Sequence, residues 1–261
     1  MTTMAYAVRD TRTMLRRNLR RMRRYPAMTM MLIGMPVVFL LLFVFVLGGT
    51  LGAGLTAGGG RAQYADYVTP GILLLSIASG AAGTATTMAM DITEGIIARF
   101  KTMAIFRPSV LTGHVAANVL QTVFGVIVLL GVGLAVGFRP TAGPLEWLAA
   151  AGLVLGVTIA ITWLAVASGL AAKSVETASN WPLLLLLLPF LGSGFVPTDS
   201  MPAGLRWFAE YQPFTPMMET LRGLLLGAGI GHNGWLALAW CLLLTAVGYV
   251  WARKLYNRDP R

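Results

Sequence analysis

The residues able to do chemistry in this chain are few. The densest group is Asp91, Glu94, Arg99, Lys101 and Arg107, within DITEGIIARFKTMAIFRPS, residues 91–109. Only 11% of the chain is charged, so this cluster between two nearly uncharged runs needs a reason. Ile92, Ile96, Phe100 and Met103 recur at helical spacing, with the charges mostly off their stripe. The spacing predicts an amphipathic helix that continues the preceding run and stops before Pro108. A mixed-charge face beside an apolar one suits docking, because complementary charges fix the register of a bound partner. A second concentration is Arg9, Arg12, Arg16, Arg17, Arg20, Arg21, Arg23 and Arg24, eight arginines in the first 24 residues. A third is Glu219 and Arg222 at i, i+3. Such a pair contributes about 0.5 kcal/mol in water and matters more where water is scarce.

Covalent and metal chemistry find no foothold. His114 and His232 lie far apart in the chain, and no cluster has metal-ligand spacing. Cys241 is the one cysteine, so there is no disulfide framework. Neither G-x-S-x-G nor H-E-x-x-H occurs. Lys101, Lys173 and Lys254 are the only lysines, and none follows glycine as a phosphate-binding loop requires. No cofactor is expected in this chain, and any ATP chemistry must come from another polypeptide.

The elements that position these groups are membrane spans. Of 261 residues 56% are hydrophobic, and mean hydropathy is +0.71. There are too few charges to cover a soluble core. Six apolar runs are long enough to cross about 30 Å of hydrocarbon: 27–47, 68–90, 115–137, 147–171, 178–196 and 234–252. The fifth is the weakest, because Pro189, Gly192 and Gly194 interrupt it. With all six crossing and the N-terminus inside, sixteen Lys and Arg fall on the cytoplasmic side against four outside. Both termini are therefore expected in the cytoplasm. The organisation predicted is an interfacial helix at 1–26, a six-span domain at 27–252 and a cytoplasmic tail at 253–261. Loop 48–60 reads as a Gly-rich outer connection.

Residues 4–24 contain neither Pro nor Gly. Met4, Val8, Leu15, Leu19 and Met22 fall on one stripe, with the arginines opposite. That is the pattern of a helix lying on the membrane, apolar face down. Basic charge in so apolar a chain points to anionic lipid and orientation, not nucleic acid. The predicted span centres hold no ionisable residue, which argues against proton or sodium coupling and favours lipophilic cargo. Phe124, Phe190 and Phe195 are candidate path residues, for which helix packing is the competing reading. After Pro202, a short helix and then the Glu219–Arg222 segment are expected to form outer re-entrant helices.

Here the chain resembles a known family. Asp91, Glu94, Gly95, Arg99, Phe100 and Pro108 reproduce a D…EG…RF…P segment that resembles the type-2 ABC transporter permeases, closest to the daunorubicin-type drug-resistance subgroup. FVPTDSMPAGLRWFAEYQPFTPMMETLRGLLLG, residues 195–227, is similar to that family's outer segment before its last span, with Gln212 where many members carry Asn. The resemblance implies an all-α integral membrane protein in the bacterial inner membrane, working as a homodimer with two ATPase subunits that carry ATP and Mg. It implies that the ATPase contacts the N-terminal helix, at Arg12, Arg16 and Arg20, and the segment Asp91, Glu94, Gly95, Arg99, Phe100, Lys101, Arg107 and Pro108. Phe124, Phe190, Phe195, Glu219 and Arg222 would line the path or the outer gate. The expected activity is export of hydrophobic drugs or antibiotics. The alternatives are a lipid or polysaccharide exporter of the same architecture, or an anchor that transports nothing.

Overall fold

In the computed structural model, the described residues are 3–24, 26–55, 60–103 and 108–257, and they contain helices but no strands. The helices are α1 (Thr3–Arg24), α2 (Pro26–Leu42), α3 (Gly48–Leu55), α4 (Arg61–Thr93), α5 (Ile96–Thr102), α6 (Pro108–Val136), α7 (Pro144–Ala171), α8 (Val175–Leu187), α9 (Ala203–Tyr211), α10 (Phe214–Leu226) and α11 (Asn233–Tyr256). A wider π turn, Phe43–Leu47, joins α2 to α3. Among the described residues, five helical stretches are long and apolar enough to cross a membrane: Thr29–Gly54, Arg61–Thr93, Pro108–Val136, Pro144–Ala171 and Asn233–Tyr256. Each covers one of the predicted runs 27–47, 68–90, 115–137, 147–171 and 234–252.

Two sequence expectations are corrected, and the weak fifth run breaks where its proline and glycines stand. Residues Gly48–Leu55 of the Gly-rich connection are helical, and 56–59 lie outside the described residues. Run 178–196 is not one helix. α8 ends at Leu187, about 20 Å long, and hydrogen-bonded turns follow through Gly192. Pro189 cannot donate to a helical ladder, which accounts for the stop. Finally, α4 does not run on into α5. Gly95 adopts φ 72°, a left-handed conformation that a side chain would strain, and the chain turns there. Ile92 and Phe100 of the expected stripe pack on the core beside buried Ile97, while Met103, just past the end of α5, is exposed.

α4 is the central element. Tyr64, Val68, Ile72, Ile77, Ala81 and Met88 are fully buried along its length. α7 and α11 lie side by side and parallel: Gly156 faces Cys241, and the ring of Trp163 stands 5.0 Å from that of Tyr249. Because they run the same way, the intervening chain must return the length of the bundle. α8 and the turns after it make that return along α4. Ser179 Oγ meets Thr86 Oγ1 at 3.3 Å, Gly194 abuts Gly71, and the Tyr64 hydroxyl donates to the Phe195 carbonyl at 3.2 Å. Positions 64 and 86 of α4 are separated by about 33 Å of helix rise.

α1 does not simply rest on the membrane; it packs on the start of α6. Met14 is buried against Gly113, where an added Cβ would come within 2.5 Å of the Met14 Cβ. Thr11 and Thr112 hydroxyls lie 3.3 Å apart. The inward line Thr11, Met14, Asn18 and Arg21, of which Met14 and Asn18 are buried, lies about 80° around the helix from the apolar stripe. Arg9, Arg12, Arg16, Arg20 and Arg23 are exposed on the opposite side.

Gly113→Leu should lift α1 from α6. Trypsin should then cleave the 16–24 arginine segment faster than in the parent, while circular dichroism shows the helical content kept.

Candidate functional site

At the α1 end, the bundle closes around one acid. Asp91, in the last turn of α4, has no exposed surface. Its Oδ2 accepts from Arg17 and lies 3.1 Å from His114 Nε2; its Oδ1 accepts from Arg21 at 2.9 Å. Arg17 also stands 5.1 Å from the Phe100 ring centre and so joins α5 to the cluster. Lys101, on α5, lies 5.4 Å from the Tyr256 ring centre at the end of α11. One carboxylate therefore gathers α1, α4, α5 and α6, and α5 reaches on to α11.

The structure separates the predicted handle residues into two kinds. Arg12, Arg16, Arg20, Glu94 and Arg99 are exposed; Phe100 and Lys101 are half-buried, as are Gly95 at the turn and Pro108 at the start of α6. These can meet a partner. Asp91 cannot present its carboxylate outward and acts as the anchor behind that surface. Arg107 lies outside the described residues. Arg17, Arg21 and His114 were not singled out from sequence as partners of Asp91. The available signal was an acid at the end of an apolar span, which demands a counter-charge nearby.

The opposite end carries a second clamp. Arg222, on α10, donates from Nη1 to Glu219 Oε1 at 2.6 Å and from Nη2 to the carbonyls of Ser193 at 2.7 Å and Tyr67 at 3.2 Å. Its guanidinium stands 3.8 Å from the Tyr67 ring centre, and the Tyr67 hydroxyl donates to the Ser193 carbonyl at 2.8 Å. Gln212 donates to the Leu188 carbonyl at 3.0 Å. Polar side chains thus satisfy the backbone that the turns after α8 leave open. α10 is embedded, with Phe214, Met217 and Met218 fully buried. On exposed α9, hydrogen bonding to Glu210 and the charge of Asp199 raise the Arg206 guanidinium above its ordinary range.

The candidate path residues divide. Phe190 and Phe195 stack at 4.4 Å, and Phe43 joins Phe195 at 4.6 Å. Phe195 is buried, while Phe124 is exposed on α6 and lines a different groove.

A helical bundle with membrane-length apolar helices, clamps at both ends and an exposed basic helix defines a multi-pass membrane protein. Comparison with known proteins specifies it: residues 9–226 match the ABC-2 type transporter family, and the chain belongs to that family. It is 26% identical over 224 residues to the daunorubicin resistance ABC transporter permease protein DrrB1 of Streptomyces coeruleorubidus, covering 85% of this chain and 77% of that protein. It is 30% identical over 188 residues to the probable doxorubicin resistance ABC transporter permease protein DrrC of Mycobacterium tuberculosis, covering 66% of this chain and 67% of the other.

Two substitutions test the clamps. Asp91→Asn leaves Arg17 and Arg21 facing each other uncompensated and should cost about 3 kcal/mol, read as a lower melting temperature in detergent with faster hydrogen exchange over residues 11–24. Arg222→Lys keeps the charge but loses the planar fork, and should cost about 1–2 kcal/mol in the same melting assay.

Proposed function

We propose that this chain is the membrane-spanning permease subunit of an ATP-driven exporter of hydrophobic drugs or antibiotics. It works in the bacterial inner membrane as a homodimer bound to two ABC ATPase subunits, which carry the ATP and Mg. The observation that carries this reading is the shared position of the exposed charged surfaces of α1 and α5 at one end of the bundle, backed by the Asp91 cluster. A partner gripping that surface grips α4, α6 and α11 through it.

In this reading the chain crosses the membrane six times, with both termini and α5 in the cytosol. The parallel course of α7 and α11, and the contacts of 179–195 along α4, support a crossing by α8 and its turns. α9 and α10 are then outer helices, α10 re-entrant. The ATPase surface comprises Arg12, Arg16, Arg20, Glu94, Gly95, Arg99, Phe100, Lys101, Arg107 and Pro108, with Asp91 behind it. Phe190 and Phe195 flank the outer path, and the Glu219–Arg222 clamp holds its gate. The drug-resistance permeases among the relatives support the cargo class.

The test is co-purification of the tagged chain with the ATPase encoded beside it. The ATPase should be recovered, and its activity should depend on this chain. Glu94→Lys combined with Arg99→Glu should lower ATPase recovery about tenfold while membrane insertion survives. Full recovery with full transport would remove α5 from the docking surface. Capture of other partners, with cellular drug accumulation unchanged, would replace the exporter with an anchor.

A further inference from the structure

Beside the Asp91 cluster, α1, α2, α4 and α6 enclose a cavity of about 70 Å³, lined in part by Asn18, Arg21, Thr84, Thr87, His114 and Asn118. Its polar lining is not satisfied within the protein. Asn18 is 7% exposed and Asn118 2%, and among the described residues Nδ2 of the first and Oδ1 of the second have no partner. Buried polar atoms left this way are costly, and a ligand or solvent ordinarily completes them. The charge is unbalanced as well. Arg17 and Arg21 both pair with the single carboxylate of Asp91. Arg21 Nη2 faces only the sulfur of Met90, at 3.5 Å, a weak acceptor. The cavity therefore has surplus positive charge in its wall, and the two unpartnered amide atoms are closed into the packing beside it.

The cavity does not stand alone. Met22, Thr29 and Gln121 line both it and an adjoining groove of about 420 Å³. That groove is bounded by Leu19, Pro26, Met30, Leu120 and Phe124, with Arg23 also on its wall. A small, mainly apolar cavity with the Arg21 guanidinium in its wall, sharing residues with an apolar groove that carries Arg23, is complementary to an anionic amphiphile. We propose that an anionic, phosphate-bearing lipid of the α1-side leaflet seats here. Its phosphate lies toward Arg21, beside Asn18, and an acyl chain lies along Met30, Leu120 and Phe124. The lipid fastens α1 to α2 and α6 at the membrane surface. This rests on the reading of the chain as a membrane protein with α1 at the cytosolic face, but it requires no ATPase and no cargo.

The test uses the full chain, reconstituted in vesicles of phosphatidylcholine alone or mixed with phosphatidylglycerol, then re-extracted in detergent and examined by native mass spectrometry. Two substitutions address the site: Thr29→Trp plugs the passage between cavity and groove, and Asn18→Leu removes the amide beside the phosphate seat. Arg206→Gln, on α9, serves as control. The parent and the control should retain phosphatidylglycerol in preference to phosphatidylcholine, and each site variant should retain about tenfold less. Size-exclusion profiles and helical content check that the variants are folded, and Thr87→Val supplies a milder cavity change should either fail. Equal retention by parent and variants overturns the site, as does phosphatidylcholine retained as well as phosphatidylglycerol. Displacement of the lipid by inorganic phosphate assigns the cavity to a free anion and overturns the lipid. Because retention is read without an ATPase, failure here leaves the permease reading standing, and failure of ATPase co-purification leaves this site standing.

Discussion

A carboxylate with no exposed surface at the end of an apolar helix is tolerable only beside compensating charge, and Asp91 is such a group. That need organises the whole α1 end. Arg17 and Arg21 can reach Asp91 only if α1 lies across α6, which requires the close approach of Met14 to Gly113. Once there, Arg17 covers Phe100 and so fixes where α5 can lie. The position of the exposed basic face is a consequence: with Arg17 and Arg21 turned inward, Arg12, Arg16 and Arg20 point away from the bundle.

The long apolar helices were legible in the sequence because twenty-odd apolar residues in succession have few other homes. Their ends were less so. α4 begins at Arg61, well before the predicted 68, because Tyr64 and Tyr67 bury their rings while their hydroxyls reach backbone carbonyls. Hydropathy alone undervalues such residues. The inward pair of arginines was not legible. Eight arginines look alike in a list, and which two face inward depends on the seating of Met14, a tertiary fact. The continuity and end of α5 were misread, because Gly95 turns the chain and Met103 falls beyond Thr102, although Ile92 and Phe100 do pack inward. Some of the candidate site was nonetheless readable, since charged residues crowd where helices are gathered.

The opposite end solves a related problem by other means. The turns after α8 leave carbonyls in an environment that offers little water, and Arg222, Gln212 and the two tyrosines supply the donors. Arg222 is 8% exposed and keeps its charge balanced through Glu219. Gln212 reaches Leu188 and also accepts from the amide of Phe214, so it ties the start of α10 to the end of α8. Its amide group thus closes that junction from both sides.

Both clamps are mounted on α4, and this gives the two ends a mechanical relation. Tyr67 and Asp91 stand about 36 Å apart along one helix, with no charged residue between them. A continuous helix resists stretching, so a load applied at Asp91 through α1 or α5 is relieved by tilt or rotation of the rod. Tilt or rotation carries Tyr67 with it, and Tyr67 is bonded to Ser193 and lies under Arg222. On the permease reading, the cytosolic grip and the outer gate are therefore two attachments to one lever. The apolar surfaces along α4 permit that motion more readily than interlocked ion pairs would, because sliding one apolar contact over another breaks no directional bond. On that same reading, directional bonds concentrated near the two ends would leave the middle free to slide.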